Sequence, residues 1–311
     1  MKQRGAAIIF ITGFSLLMLI SVLFVFQERT QGEWKDQTML RMEVPYERDH
    51  PTGKAAEYFA SLVGEESDGE LQISVAYNTE PGSEKEIVKQ LQFGGIAFAA
   101  VNYFDFCEDI PELNQFILKY DSLEEAQEGY CRQKEAIGEY LSKERMELLS
   151  CYRPDYRCIA TKERPESDGD FSGMKIHATK AAVLSVYLLG MGAEIESFDR
   201  TDWIRAVDSG YIDGIEMPLL LYGRAGYDKV MPYVWIYKEF LVPDMLVAST
   251  VSLGNLTDEQ QRILADCALK TEEFQVEALK EAQERQEQSW KDKDGETRLL
   301  ESERQAPEWK E

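Results

Sequence analysis

Two cations and an acid stand where they could grip a small anion. Arg157 carries a planar fork of donors that binds carboxylate through two parallel hydrogen bonds and stays charged at any cellular pH. His177 offers one donor per ring nitrogen and titrates near neutrality. Glu216 could accept from a ligand amine or hydroxyl, or pair with Arg157. Each has a plainer reading. Arg157 could be held in an ion pair by one of the abundant acids, worth about 0–1 kcal/mol if exposed. His177 could be an ordinary packed histidine. Glu84 follows Pro81-Gly82 at a helix start, where it complements the helix dipole, a role compatible with a cleft contact. Met217 lines a pocket if its strand ends at Glu216. Tyr46, Arg48 and Asp49 follow a strand and form either a cleft wall or an exposed loop. Tyr103 and Phe104 supply apolar cover or sit in the core.

Other chemistries find no support. The chain has 2 histidines and no closely spaced cysteine pair, so no zinc site is visible. No D-x-D-x-D-G calcium loop, G-x-S-x-G nucleophile elbow, phosphate-cradling loop or dinucleotide fingerprint is present, so no metal, cofactor or catalytic residue is assigned. A hydrolase using Arg157, His177 and Glu216 would lack a nucleophile. The net charge of −23 repels nucleic acid and anionic lipid headgroups. Five cysteines leave at least one unpaired within a monomer. Cys151 and Cys158 are near enough in sequence to pair, and spacing alone leaves a disulfide or free thiols open.

The elements that must position these residues come in two similar passes. Met39–Val44 reads as a strand, 52–63 as a helix, 71–77 as an alternating strand, 83–92 as a capped helix and 96–101 as a short apolar strand. Then 174–177 reads as a strand, 179–189 as a helix, 194–197 as a strand, 201–208 as a helix and 211–216 as a strand. Between the passes, 122–149 reads as mainly helical. Residues 233–250 read as extended, and a capping box at Thr257–Gln260 opens a long helix to about Trp290. Two β-α-β-α-β passes imply an α/β fold of two lobes, each a mainly parallel sheet flanked by helices. The gap between such lobes is a favoured ligand site, and hinge closure is its usual motion.

From about Met39 to Ala282 the chain resembles a TRAP-transporter solute receptor of the DctP-like type. Six segments carry the resemblance in order: His50-Pro51 with Lys54–Phe59; Gly82-Ser83-Glu84 with Gln90–Ile96; Ile110–Asn114; Phe171–Ile176; Asp213–Leu219; and Leu256–Gln261. The resemblance implies a two-lobed periplasmic-binding-protein-like fold that captures a small organic acid and presents it to membrane permease subunits. It also implies that Arg157 matches a family arginine. His177 stands where the family has the arginine that grips the ligand carboxylate, and Met217 replaces a family asparagine. The pocket is then less polar than the family norm, which implies an atypical ligand or a receptor that has lost tight binding. On that footing, His177→Arg should strengthen binding of a simple carboxylate.

Ala6–Phe26 is uncharged and long enough, at 1.5 Å per residue, to span the roughly 30 Å hydrocarbon core. Lys2 and Arg4 precede it, favouring a cytoplasmic N-terminus. Ser21–Gln27 offers no small-x-small cleavage motif, and no cysteine precedes Cys107, so an uncleaved signal-anchor is expected ahead of a cleaved signal or a lipid anchor. The expected organisation is a transmembrane segment at 1–29, a linker at 30–36, lobe I at 37–154 with about 243–282, lobe II at 155–242 with about 283–291, and a charged tail at 292–311. The expected function is an extracytoplasmic receptor on the outer face of the cytoplasmic membrane, periplasmic or secreted if the signal is cleaved. The alternative is a sensor, or a degenerate receptor, of the same fold.

Overall fold

A computed structural model describes residues 37–77, 83–167, 169–179, 181–197, 203–224, 227–292 and 298–300. The apolar run Ala6–Phe26 and the linker lie outside the described residues. Among the described residues, no helix is long and apolar enough to cross a membrane.

The first pass begins with β1 (Thr38–Val44), whose buried end leads into the turn before α1 (Pro51–Glu66). Pro51 sits at the first helical position, where a missing N–H costs nothing. His50 caps the helix, its Nδ1 accepting from the Thr52 N–H at 3.2 Å. The Tyr46 ring stacks on His50 with centroids 4.1 Å apart. Ala55, Ala56, Phe59 and Val63 form the buried face of α1, as its periodicity predicts. β2 (Leu71–Tyr77), α2 (Ser83–Phe93) and β3 (Phe98–Asn102) complete the pass. After α3 (Leu123–Lys143) comes β4 (Met146–Cys151). The predicted helix over 122–149 therefore overruns. Ser122 does start it, accepting from the Glu125 N–H at 3.0 Å. It stops because Arg145 turns into the left-handed region at φ 61°.

The second pass holds β5 (Arg157–Thr161), β6 (Lys175–His177), α4 (Ala182–Gly190), β7 (Glu194–Glu196), α5 (Trp203–Asp208) and β8 (Gly214–Pro218). Then follow α6 (Leu219–Arg224), β9 (Tyr233–Tyr237), β10 (Asp244–Ser249), α7 (Asp258–Asp292) and β11 (Arg298–Leu300). The capping box that opens α7 is reciprocal: Gln260 N–H donates to Thr257 Oγ1 at 3.2 Å, and Thr257 N–H donates to Gln260 Oε1 at 3.1 Å. Three residues of the expected charged tail, Arg298–Leu300, pair in parallel with β9.

The strands form two sheets, ordered β2-β1-β3-β10-β4 and β11-β9-β5-β8-β6-β7. Both are mixed rather than mainly parallel. The β-α-β passes give the parallel pairs of β1 with β2 and β3, and of β6 with β7 and β8. Antiparallel pairs arise where the chain changes sheets, β10 lying against β3 and β4 and β5 against β8 and β9. The chain crosses between the sheets three times, through 152–156, through 238–243 and between β10 and β11 along α7. The first two carry a Pro-Asp pair: Pro154-Asp155 lies within 152–156, and Pro243 ends 238–243 with Asp244 opening β10. Proline has no N–H for a ladder, so neither segment can extend a sheet. The long helix α7 packs on α1 and β4 and reaches α6, touching elements on both sides of the crossings.

Candidate functional site

Strand alternation decides where the candidate residues point. In the second sheet Arg157 lies opposite Tyr237 on one side and Pro218 on the other. Arg157, Glu216 and Tyr237 therefore share one face. His177 lies opposite Ile215, two residues from Met217, so these three share the other face. The strand β8 runs to Pro218, beyond the expected end at Glu216, and this keeps Met217 inside the ladder, 1% exposed. Met217 packs with Cys158, Ile215, Tyr222 and Tyr227. His177 is 5% exposed, with its ring 4.7 Å from that of Trp203.

On the opposite face, Arg157 is bound bidentately by Glu216. Nε to Oε1 is 2.5 Å and Nη2 to Oε2 is 2.8 Å, with the Tyr237 hydroxyl also donating to Oε1. The Phe104 ring lies 5.0 Å from the guanidinium carbon. Burial works against the charged guanidinium, but the charge and hydrogen bonds of Glu216, with Tyr237, outweigh it and raise the Arg157 pKa. Burial and the Glu216 charge push Tyr237 well up, so it remains a donor.

A cavity of about 20 Å³ lies between the two sheets, room for about one water. Tyr46, His50, Pro51, Thr52 and Asn102 line it from the first sheet and α1, Arg157, Pro218 and Leu220 from the second side. Arg153, Asp155 and Val242 come from the crossings, Asp244 from the start of β10, and Gln275 and Leu279 from α7. Asp244 takes hydrogen bonds from Tyr46 Oη at 2.9 Å, Thr52 Oγ1 at 2.5 Å and Asn102 Nδ2 at 3.0 Å. Burial raises its pKa against the lowering effect of those three donors. Asp155 takes the Leu220 N–H at 2.8 Å and Gln283 Nε2 at 3.0 Å. Arg153 Nε donates to Gln127 at 2.8 Å. Gln275 holds the Arg153 backbone at both its N–H and its carbonyl.

Of the expected site residues, Arg157 and Tyr46 line this cavity. Glu216 stands behind Arg157 as the pairing partner that its sequence position allowed. Arg48 is an exposed loop residue, 72% exposed at its side chain and paired with Glu57. Tyr103 is fully buried and donates to the Leu113 carbonyl at 2.8 Å, which makes it core. Glu84 is partly buried in the first turn of α2, away from the cavity lining. Sequence reading passed over Asp155, Asp244, Asn102 and Thr52. The repeated Pro-Asp pair, one copy at each of the first two crossings, was the available signal. A larger groove of about 630 Å³, bounded by residues of α3, β4 and Thr250, takes no residue from the second sheet, so it cannot sense movement between the sheets.

Asp155 gives a pH-dependent prediction. Burial pushes its pKa from 3.8 up to about 6, against the hydrogen bonds from Leu220, Gln283 and Tyr156, and the Asp244 charge adds to the rise. A carboxyl raised on folding favours the folded state only while protonated. The cost is absent below the unfolded value, grows as pH rises toward about 6, and is constant above that. Its size is at most on the order of 3 kcal/mol. Asp155→Asn should gain about 1 kcal/mol at pH 7.5 relative to wild type and nothing at pH 4, compared by urea unfolding. Equal effects at both pH values would remove the titration from Asp155.

All five cysteines are free, including Cys151 and Cys158. Burial raises every one of these thiols, so none is poised as a thiolate. Among the described residues, no group of acids, histidines and cysteines could hold a metal ion.

Two mixed sheets joined by three crossings, with a polar cavity between them, define a binding-protein type of α/β architecture. The chain belongs to family 7 of the bacterial extracellular solute-binding proteins, the DctP family, which its residues 43–311 match. That is a family of solute receptors rather than enzymes. A solute-binding protein of Chromohalobacter salexigens is 21% identical over 70% of this chain and 66% of its own length. The C4-dicarboxylate-binding protein DctB of Bacillus subtilis is 24% identical over 77% of this chain and 70% of its own. A crystal structure of a TRAP periplasmic solute-binding protein from Citrobacter koseri, with bound D-glucuronate, superposes with TM-score 0.77. It is 22% identical and covers 86% of this chain and 90% of that one.

Proposed function

We propose that this chain is the extracytoplasmic solute-binding subunit of a TRAP-type transporter, taking a small carboxylate-bearing solute between its lobes and passing it to membrane permease subunits. The observation that carries this reading is the cavity between the sheets, lined from both sides and containing one side of a buried arginine. Family membership supports the transport role, and the ligands of the similar proteins, a C4-dicarboxylate and D-glucuronate, support a carboxylate. Lobe I comprises 37–154 with about 243–282, and lobe II 155–242 with about 283–291. Ala6–Phe26 tethers the receptor to the outer face of the cytoplasmic membrane.

At about 20 Å³ the cavity is too small for any such solute, so the lobes must part to admit one. The crossings at 152–156 and 238–243 are where the backbone would turn. Native mass spectrometry of the full chain, purified in detergent from its own host, should find a retained small molecule. Scattering should show a change in overall dimensions when that molecule is removed. Bare protein, silent in calorimetry toward small carboxylates and amino acids alike, would leave only the fold of a receptor.

A further inference from the structure

The charges around the cavity specify more than a carboxylate. His177 and Met217, which stand where the resemblance has a gripping arginine and an asparagine, lie on the far face of the second sheet among Trp203 and Tyr222. Arg157 does line the cavity, but Glu216 occupies its Nε and Nη2 and offsets much of its charge. Nη1 is the nitrogen that Glu216 does not take. The Arg153 fork is drawn toward Gln127, with Glu124 4.0 Å from Nη2. Facing what remains are two carboxyl groups, Asp155 and Asp244, close enough that the charge of one acts on the other. The Arg157 charge in turn acts on Asp244. The lining thus offers Arg157 Nη1 and the remaining Arg153 nitrogens for an anion and two acceptors for a cation. A second carboxylate on the ligand would meet like charge in a confined, poorly screened space.

We propose that the cleft is built for a zwitterion: a small amino acid or amino-carboxylate whose carboxylate takes Nη1 of Arg157 and whose ammonium lies against Asp155 and Asp244. This rests on the receptor reading above and narrows its solute class. An ammonium fits because it brings donors to acceptors already held in place by Tyr46, Thr52 and Asn102, whose hydrogen bonds keep Asp244 fixed. Dicarboxylates and uronates, the ligands of the similar proteins, have no cation for these acids.

The test compares matched probes on the full chain in detergent. Succinate and 4-aminobutyrate share a four-carbon skeleton, with one carboxylate carbon replaced by an aminomethyl carbon that carries the ammonium. Alanine and D-glucuronate extend the comparison to a shorter zwitterion and a larger acid. Calorimetry should find at least one zwitterion bound at least ten-fold tighter than either acid. Asp244→Asn and Asp155→Asn should each weaken it ten-fold or more without weakening succinate. Two variants guard against one failing to fold. Succinate or D-glucuronate binding as tightly as the zwitterions would overturn the inference while leaving the receptor reading intact. So would a pure acid identified as the molecule retained in native mass spectrometry. No response to any probe, with nothing retained, would overturn both.

Discussion

Arg157→Ala will destabilise the protein by about 3–5 kcal/mol, the largest loss expected from any single polar change in this chain. The reason is what remains rather than what is removed. Glu216 is 2% exposed, and its two oxygens are held by Arg157 and the Tyr237 hydroxyl. Without the guanidinium, a carboxylate stays inside the second sheet with one neutral donor for company. It must either remain charged in a poor solvent or take up a proton. Glu216→Ala leaves the mirror problem, a buried guanidinium under Phe104 without its paired carboxylate. Removing both partners with apolar residues of similar size, Arg157→Met with Glu216→Leu, should recover most of the loss, since the pair itself is nearly balanced against its desolvation. Urea unfolding of the two single variants and the double variant measures the coupling directly. Additive losses would show that the pair is solvated and that Arg157 is free to do other work.

His177→Arg will also cost the protein several kcal/mol, on the order of 3, and will not improve binding of a simple carboxylate. Sequence reasoning leads to the opposite expectation, because His177 stands where the family resemblance places a gripping arginine. The register explains the reversal. His177 faces the same way as Ile215 and Met217, into a cluster of Trp203, Tyr222, Tyr227 and Met231, and the cavity lies elsewhere. An arginine there is longer, permanently charged and surrounded by apolar and aromatic side chains. Thermal unfolding and succinate calorimetry on the same variant check both halves. A gain in succinate affinity with stability unchanged would put position 177 back in the cleft.

Local periodicity carried much of the fold. Ala55, Ala56, Phe59 and Val63 announced α1, the alternation from Leu71 announced β2, and Thr257–Gln260 announced α7. Each of these signals lies within one element. What was hidden depends on partners distant in sequence. Met146–Cys151 looked like more helix because only pairing with β10 makes it a strand. The parallel character of the sheets was overestimated because β5 and β10 join from the far side of a crossing. The site was less legible than the fold. Arg157 was found and its pairing with Glu216 was among the readings offered. Asp155 and Asp244 went unnoticed because an aspartate after a proline reads as a turn in sequence, and only the first two crossings together make it a wall.

The position of β10 in its sheet has a consequence for biosynthesis. β10 lies between β3 and β4, yet the whole of β5 to β9 separates it from β4 along the chain. A ribosome therefore delivers β1 to β4 with a gap down the middle of their sheet, and the missing strand emerges only after most of the other half has been made. The later-synthesised half has the means to fold first, while the earlier half waits with exposed strand edges. Export of the nascent chain before Asp244–Ser249 appears would keep that split sheet from pairing wrongly.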